Sequence, residues 1–115
     1  MKRVTVIASA TPVPPTSEPV GEPSIDGANT RGKSEFTIQL GSGAGPIDVT
    51  GDNLETATQI ILRDPDHELL CTVPATYADG KLTGTPNYSD AAPAIGFVYI
   101  ETTGGHAEHE VSYES

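Results

Sequence analysis

The sequence predicts a small all-β domain, an antiparallel β-sandwich preceded by an extended N-terminal arm. Short runs of alternating or β-branched residues recur between residues 35 and 113, and Gly, Pro, Asn or Asp separates them. The 115 residues include 12 glycines and 10 prolines, which suits a chain with many turns. No window places apolar residues at helical spacing over three turns. The chain is long enough for one domain with one modest core.

Residues 1–34 are predicted to be the arm. Residues 2–8 alternate well enough for one short strand, and residues 9–34 contain five prolines but few apolar side chains. This composition favours extended, polyproline-like backbone and cannot form a core. The strand either pairs with its own domain or adds to the sheet edge of another subunit, and a disordered tail is the remaining alternative. The predicted partner-binding residues of the arm are Val4, Val6, Ile7, Val13 and Val20.

Residues 35–115 are predicted to form the sandwich, from about seven short strands. The count and spacing of these strands are typical of an immunoglobulin-like fold. The strands are predicted at residues 36–40, 47–50, 58–63, 69–73, 82–85, 97–103 and 110–113. The predicted core consists of Phe36, Ile38, Leu40, Ile47, Val49, Leu54, Ile60, Leu62, Leu69, Cys71, Val73, Val98, Ile100, Val111 and Tyr113.

Residues 96–113 contain the clearest hairpin. An aromatic and β-branched run at 97–100 is followed by Gly104 and Gly105, which accept positive φ without steric cost, and by returning alternation at 110–113. We expect these residues to form the last two strands of an antiparallel sheet. Nothing in the hairpin pairs a nucleophile with a base, so the pattern indicates a scaffold.

Three segments carry a family resemblance. They are the turn Gly51-Asp52-Asn53-Leu54 after a strand, the strand at 58–62, and the run at 98–105 that leads to 111–113. In this order they resemble the IPT/TIG group of immunoglobulin-like domains, over residues 35–113. The resemblance implies a spacer, adhesion or assembly role and seldom catalysis.

The architecture also resembles the small immunoglobulin-like accessory (decoration) proteins of tailed bacteriophages, displayed on the capsid or tail. The resemblance implies a non-enzymatic virion protein, made in the host cytoplasm without a signal peptide. The arm would tether it to a capsid or tail protein, with self-association through the N-terminal strand as a second route. An adhesion or glycan-binding module on a cell or virion surface, using Tyr77, Tyr88 and the His–Glu hairpin, is the alternative function.

Charge and hydrophobicity argue against nucleic-acid and membrane partners. The net charge is −10, from 16 acidic and 6 basic residues, whereas phosphate binding needs clustered Lys and Arg. The apolar patch after Lys2 and Arg3 is too short for a secretory signal, and no stretch approaches the roughly 20 apolar residues of a membrane span. Cys71 is the one cysteine, so the chain forms no internal disulfide.

The strongest cluster of possible metal ligands is the segment from His106 to Glu110, with His106 and His109 as weak metal candidates. In a strand these two imidazoles face opposite sides of the sheet, so a solvated hairpin end is the preferred interpretation. No catalytic dyad, G-x-S-x-G elbow or phosphate-binding loop occurs in the sequence. The sequence therefore predicts no cofactor, no metal and no enzymatic activity.

Overall fold

The computed structural model describes residues 21–115, which form an immunoglobulin-like sandwich of nine strands. That part of the chain contains no helix, and hence no helix able to cross a membrane. The strands are β1 (Gly27–Thr30), β2 (Thr37–Gln39), β3 (Ile47–Thr50), β4 (Gln59–Arg63), β5 (Leu69–Pro74), β6 (Thr76–Ala78), β7 (Lys81–Gly84), β8 (Ile95–Thr102) and β9 (Gly105–Glu114).

Two sheets pack face to face. One has the order β1-β3-β7-β6 and the other the order β2-β9-β8-β4-β5. With strands lettered in chain order these are A-B-E-D and A′-G-F-C-C′, the arrangement of immunoglobulin domains. The predicted antiparallel pairing holds for every described pair except β2 and β9, which run parallel. The exception arises because the chain crosses from the first sheet to the second between β1 and β2.

The first strand lies within the segment assigned to the arm. β1 pairs antiparallel with β3, Ala28 is fully buried, and the Thr30 hydroxyl accepts a 2.7 Å hydrogen bond from the Gln39 amide. The sandwich therefore begins before residue 35. Sequence periodicity missed β1 because its residues, GANT, are small or polar. A Cβ on Gly27 would lie 2.8 Å from the Glu35 carboxylate, so a larger residue there would displace that side chain.

Most of the predicted core is confirmed, and two positions differ. Leu69 is 64% exposed because the register of β4 and β5 shifts between Leu62 and Arg63. The extra residue is Leu70, which packs against the core, and Leu69 pairs with Arg63 on the outer face. Leu82, absent from the prediction, is fully buried in β7. The largest fully buried side chains are Ile38, Leu40, Ile47, Val49, Leu54, Ile60, Leu62, Val73, Leu82, Val98 and Ile100.

The predicted hairpin is confirmed as β8 and β9, which pair from Ile95 opposite Ser112 to Thr102 opposite Gly105. Thr103 and Gly104 form its tip, and Gly105 takes a φ of 142°. The Thr103 amide donates to the Thr56 hydroxyl at 3.0 Å, which ties the tip to the loop after β3. This loop, residues 51–56, and the tip, residues 103–105, form one end of the sandwich, called here the entry end.

Candidate functional site

The outer face of the five-stranded sheet carries a group of aromatic and charged side chains. Strand pairing places Arg63 opposite Phe97, and Tyr99 opposite Glu108, so that all four share this face. His67 joins them from the turn between β4 and β5, where it adopts a φ of 64°. The sheet-face cluster is defined as Arg63, His67, Phe97, Tyr99, His106 and Glu108.

Glu108 is the centre of this cluster. Its Oε2 accepts a 3.1 Å hydrogen bond from Arg63 Nη1, and its Oε1 lies 3.2 Å from His67 Nδ1. The Arg63 guanidinium carbon lies 4.0 Å from the Tyr99 ring centroid, a cation–π distance. The Arg63 and Glu108 side chains are 29% and 25% exposed, so solvent screens this pair less than it screens a fully exposed pair.

Stacking orders the remaining rings. The His67 and Phe97 rings lie 4.0 Å apart at 16°, and the Tyr99 and His106 rings 5.6 Å apart at 29°. The cationic and anionic groups at the centre are already paired with each other, and the cluster contains no serine, threonine or cysteine nucleophile. The arrangement is therefore suited to making contacts through a flat aromatic and polar surface.

The two candidate metal ligands lie on opposite faces of β9. His106 lies beside Tyr99 on the outer face, whereas His109 pairs with Val98 on the inner face. The His109 ring stacks on Phe36 at 3.8 Å and 6°, and its Nδ1 lies 2.7 Å from the Glu110 carbonyl oxygen. Within residues 21–115 no group of three or more His, Cys, Asp or Glu side chains could hold a metal ion.

One edge of β9 lacks a neighbouring strand. β8 pairs with β9 from Gly105 to Ser112, but β2 pairs with β9 only at Ser112–Glu114. Phe36 has a φ of 60°, and its carbonyl accepts the last bond on this side, from the Ser112 amide at 2.9 Å. Between His106 and Glu110 no described strand pairs with β9 on the side away from β8. These five residues are called here the open β9 edge.

Alternation along β9 identifies which groups face outward. The Tyr113 amide donates to Ala94 on the β8 side, whereas the Ser112 amide donates to Phe36 on the opposite side. Every second residue of β9, counted back from Ser112, therefore directs its backbone amide and carbonyl away from β8. Those residues are His106, Glu108 and Glu110.

The arm residues singled out from the sequence, Val4, Val6, Ile7, Val13 and Val20, lie outside the described part of the chain. The described chain starts at the entry end, where the Asn53 side-chain amide donates to the Glu22 carbonyl at 3.0 Å. Glu22 and Pro23 also pass Gly105, within 3.6 Å of where a Cβ would stand. Residues 21–23 therefore lie at the entry end, beside Asn53 and Gly105.

The loop tyrosines of the alternative function, Tyr77 and Tyr88, are half-buried against the core. Sequence reasoning placed Phe97 and Tyr99 on one strand but missed the sheet-face cluster. The alternation of residues 97–101 puts both rings on one face, whereas their partners depend on strand register and on the β4–β5 turn.

Comparison with protein-family models, with curated proteins and with solved structures yields no match to this chain. The resemblance to the IPT/TIG group therefore stays a prediction from the residues that carry it.

Proposed function

We propose that the protein is a non-enzymatic structural accessory protein that attaches to a larger protein assembly through its N-terminal segment. The observation that carries this proposal is the place where that segment meets the sandwich. Glu22 is held by Asn53 at the entry end, and Glu22 and Pro23 lie against Gly105. A tether attached at the entry end would keep the opposite end of the sandwich, and both sheet faces, away from the point of attachment.

Length and charge support a tether. Twenty extended residues span at most about 66–72 Å, enough to cross a neighbouring subunit. Residues 1–20 contain two of the six basic residues and one of the 16 acidic residues, so nearly all of the acidity belongs to the sandwich. The acidic charge of the sandwich favours solubility of the displayed domain. The slightly basic charge of residues 1–20 favours attachment through the N-terminal segment.

The assembly we propose is the virion of a tailed bacteriophage, with a capsid or tail protein as the partner. The support is the resemblance of the whole architecture to phage decoration proteins: one immunoglobulin-like sandwich, a proline-rich N-terminal segment and a single cysteine. The protein would then be made in the host cytoplasm and reside on the virion. IPT/TIG-like domains with assembly roles are consistent with this proposal.

A truncation tests the attachment, and the structure decides where it must end. Removal of residues 2–34 would delete β1 and leave β3 paired only with β7, whereas removal of residues 2–20 leaves every described strand intact. Density-gradient centrifugation of particles assembled with each form measures attachment. We expect the full chain to band with the particles at a fixed copy number and the 2–20 deletion to stay at the top. Equal banding of the deletion would contradict the proposal.

The glycan-binding alternative rests on one observation, the partly exposed Phe97 and Tyr99 rings of the sheet-face cluster. A glycan array probed with the wild-type protein and with Tyr99→Ala tests it. Saturable binding that Tyr99→Ala abolishes and Tyr77→Ala preserves would favour a glycan-binding module over the structural function.

A further inference from the structure

We propose that the open β9 edge is the docking site for residues 3–7 of the same chain, which add to the five-stranded sheet as a further strand beside β9. This inference concerns the free protein, and it stands whether or not the N-terminal segment also attaches the protein to a virion. Its support comes from the backbone groups at the edge, the side chains that flank it and the position of residues 22 and 23.

The backbone of the edge calls for a partner strand. His106, Glu108 and Glu110 each direct an amide and a carbonyl away from β8. No described strand forms hydrogen bonds with these groups, although the Glu110 carbonyl lies 2.7 Å from the His109 Nδ1 atom. Such an edge is a template for strand addition, because main-chain hydrogen bonds supply the affinity. The edge is five residues long, and the alternating segment at residues 2–8 is long enough to cover it.

The side chains of the two segments are complementary on both faces. Glu108 and Glu110 lie on the outer face of the edge, and Glu110 makes no ion pair with any described residue. If Val4 and Val6 face inward, they lie on the side of Ala107 and of the stacked Phe36 and His109 rings.

That orientation turns Arg3 outward together with Thr5 and Ile7, on the same face as the two glutamates. Opposite charges on neighbouring strands stabilise a sheet. A slip of one residue would turn Arg3 to the inner face, the face of the Phe36 and His109 rings, so the pattern also favours one register.

The chain connection favours docking onto its own sandwich. Residues 22 and 23 lie beside Gly105, at one end of the open edge. Residues 8–20 can span up to about 43 Å, whereas the edge is only about 17 Å long, so residues 3–7 reach all of it. Because the connection can span the edge, docking is intramolecular, with an effective concentration on the order of millimolar. A second copy in dilute solution cannot match that concentration.

Amide hydrogen exchange, followed by NMR on the full chain, tests the docking. At concentrations where light scattering shows a monomer, we expect alternate amides within residues 3–7 to exchange at least tenfold slower than unstructured amides. The period of two is the signature of an edge strand, because only every second residue bonds to β9.

Two substitutions at Glu110 distinguish docking through backbone hydrogen bonds from docking through charge. Glu110→Pro removes an amide that faces away from β8, so it blocks the edge without breaking the β8–β9 pairing. Glu110→Gln keeps that amide and removes only the charge. We expect Glu110→Pro to raise the exchange rates of residues 3–7 at least tenfold and Glu110→Gln to leave most of the protection in place.

The reciprocal experiment covers the case in which Glu110→Pro does not fold. Deletion of residues 2–20 should speed exchange at the amides of His106, Glu108 and Glu110 and leave Val98 and Ile100 unchanged. Unprotected residues 3–7 in the wild-type monomer would overturn the proposal. So would protection that appears only with a concentration-dependent dimer, since the occupant would then be a second copy.

Discussion

Replacing Leu82 by alanine is expected to destabilise the sandwich far more than replacing Leu69, although both leucines lie in strands. Leu82 is fully buried in β7, between the partners Val49 and Tyr77, whereas Leu69 is 64% exposed at the start of β5. Truncation of a buried leucine removes its transfer free energy and leaves a cavity, which together cost about 2–5 kcal/mol.

The expected cost at Leu69 follows from its exposure. Full burial of a leucine is worth about 1.5–3 kcal/mol, and only about a third of the Leu69 side chain is withdrawn from water, so we expect a loss of about 0.5–1 kcal/mol. No closed cavity forms at a surface position. Domains of this size are stabilised by roughly 5–15 kcal/mol, so Leu82→Ala removes a large fraction of the total and Leu69→Ala a small one.

Urea unfolding followed by circular dichroism measures both effects. With a slope of about 1.5 kcal/mol per molar urea, the midpoint should fall by about 1–3 M for Leu82→Ala and by about 0.3–0.7 M for Leu69→Ala. Equal shifts, or a larger shift for Leu69→Ala, would refute the register shift in β5 and with it the assignment of the outer face.

Three further predictions concern single positions. Gly96→Ala should cost about 1–3 kcal/mol in the same urea assay, because a Cβ there would meet the Arg63 carbonyl and the Tyr113 ring; an unchanged midpoint would contradict this close approach. Burial raises the pKa of Tyr113, so its stabilising contribution is complete below the unfolded pKa of about 10 and declines as pH rises above it. The stability difference between wild type and Tyr113→Phe, about 1 kcal/mol at neutral pH from the hydroxyl bonds to Arg63 and Phe97, should therefore shrink in alkaline urea titrations. The hydrogen bond from Arg31 lowers the pKa of Asp48, so that stabilisation is present above the unfolded value of about 3.9 and is lost as pH falls through the folded value. Asp48→Asn should be less stable than wild type at pH 7 and converge with it in acid, and a constant difference down to pH 2 would argue against the pair.

Local pattern was enough to predict the strands with strong alternation. Residues 36–40, 58–63 and 97–100 each alternate branched or aromatic side chains with others, and the inward-facing members of each run lie in or against the core. The β8–β9 hairpin was also predictable, because its glycines and flanking alternation are adjacent in sequence. These features depend on a few neighbouring residues and not on the rest of the fold.

Features that depend on distant partners could not be predicted in the same way. β1 has no hydrophobic period, and it forms by pairing with the edge of β3. The exposure of Leu69 follows from one extra residue at Leu70. A single inserted residue reverses which face each side chain occupies, and the sequence of β5 alone carries no sign of it.

The candidate sites were the hardest to predict. Arg63, His67 and Glu108 are far apart in sequence, and strand pairing brings them together. The open β9 edge depends on the positive φ of Phe36, which ends the pairing of β2 with β9. A positive φ at a phenylalanine is unusual and is not indicated by its neighbours.

The most direct test of the account is a competition for attachment. Particles of the proposed assembly that lack this protein are mixed with equal amounts of the full chain and of the 2–20 deletion, and the bound ratio is measured by quantitative mass spectrometry after gradient purification. The account predicts that the full chain occupies nearly all of the sites, while both forms remain folded in solution. A bound ratio close to one would show that the sandwich alone carries the attachment and would contradict the central claim.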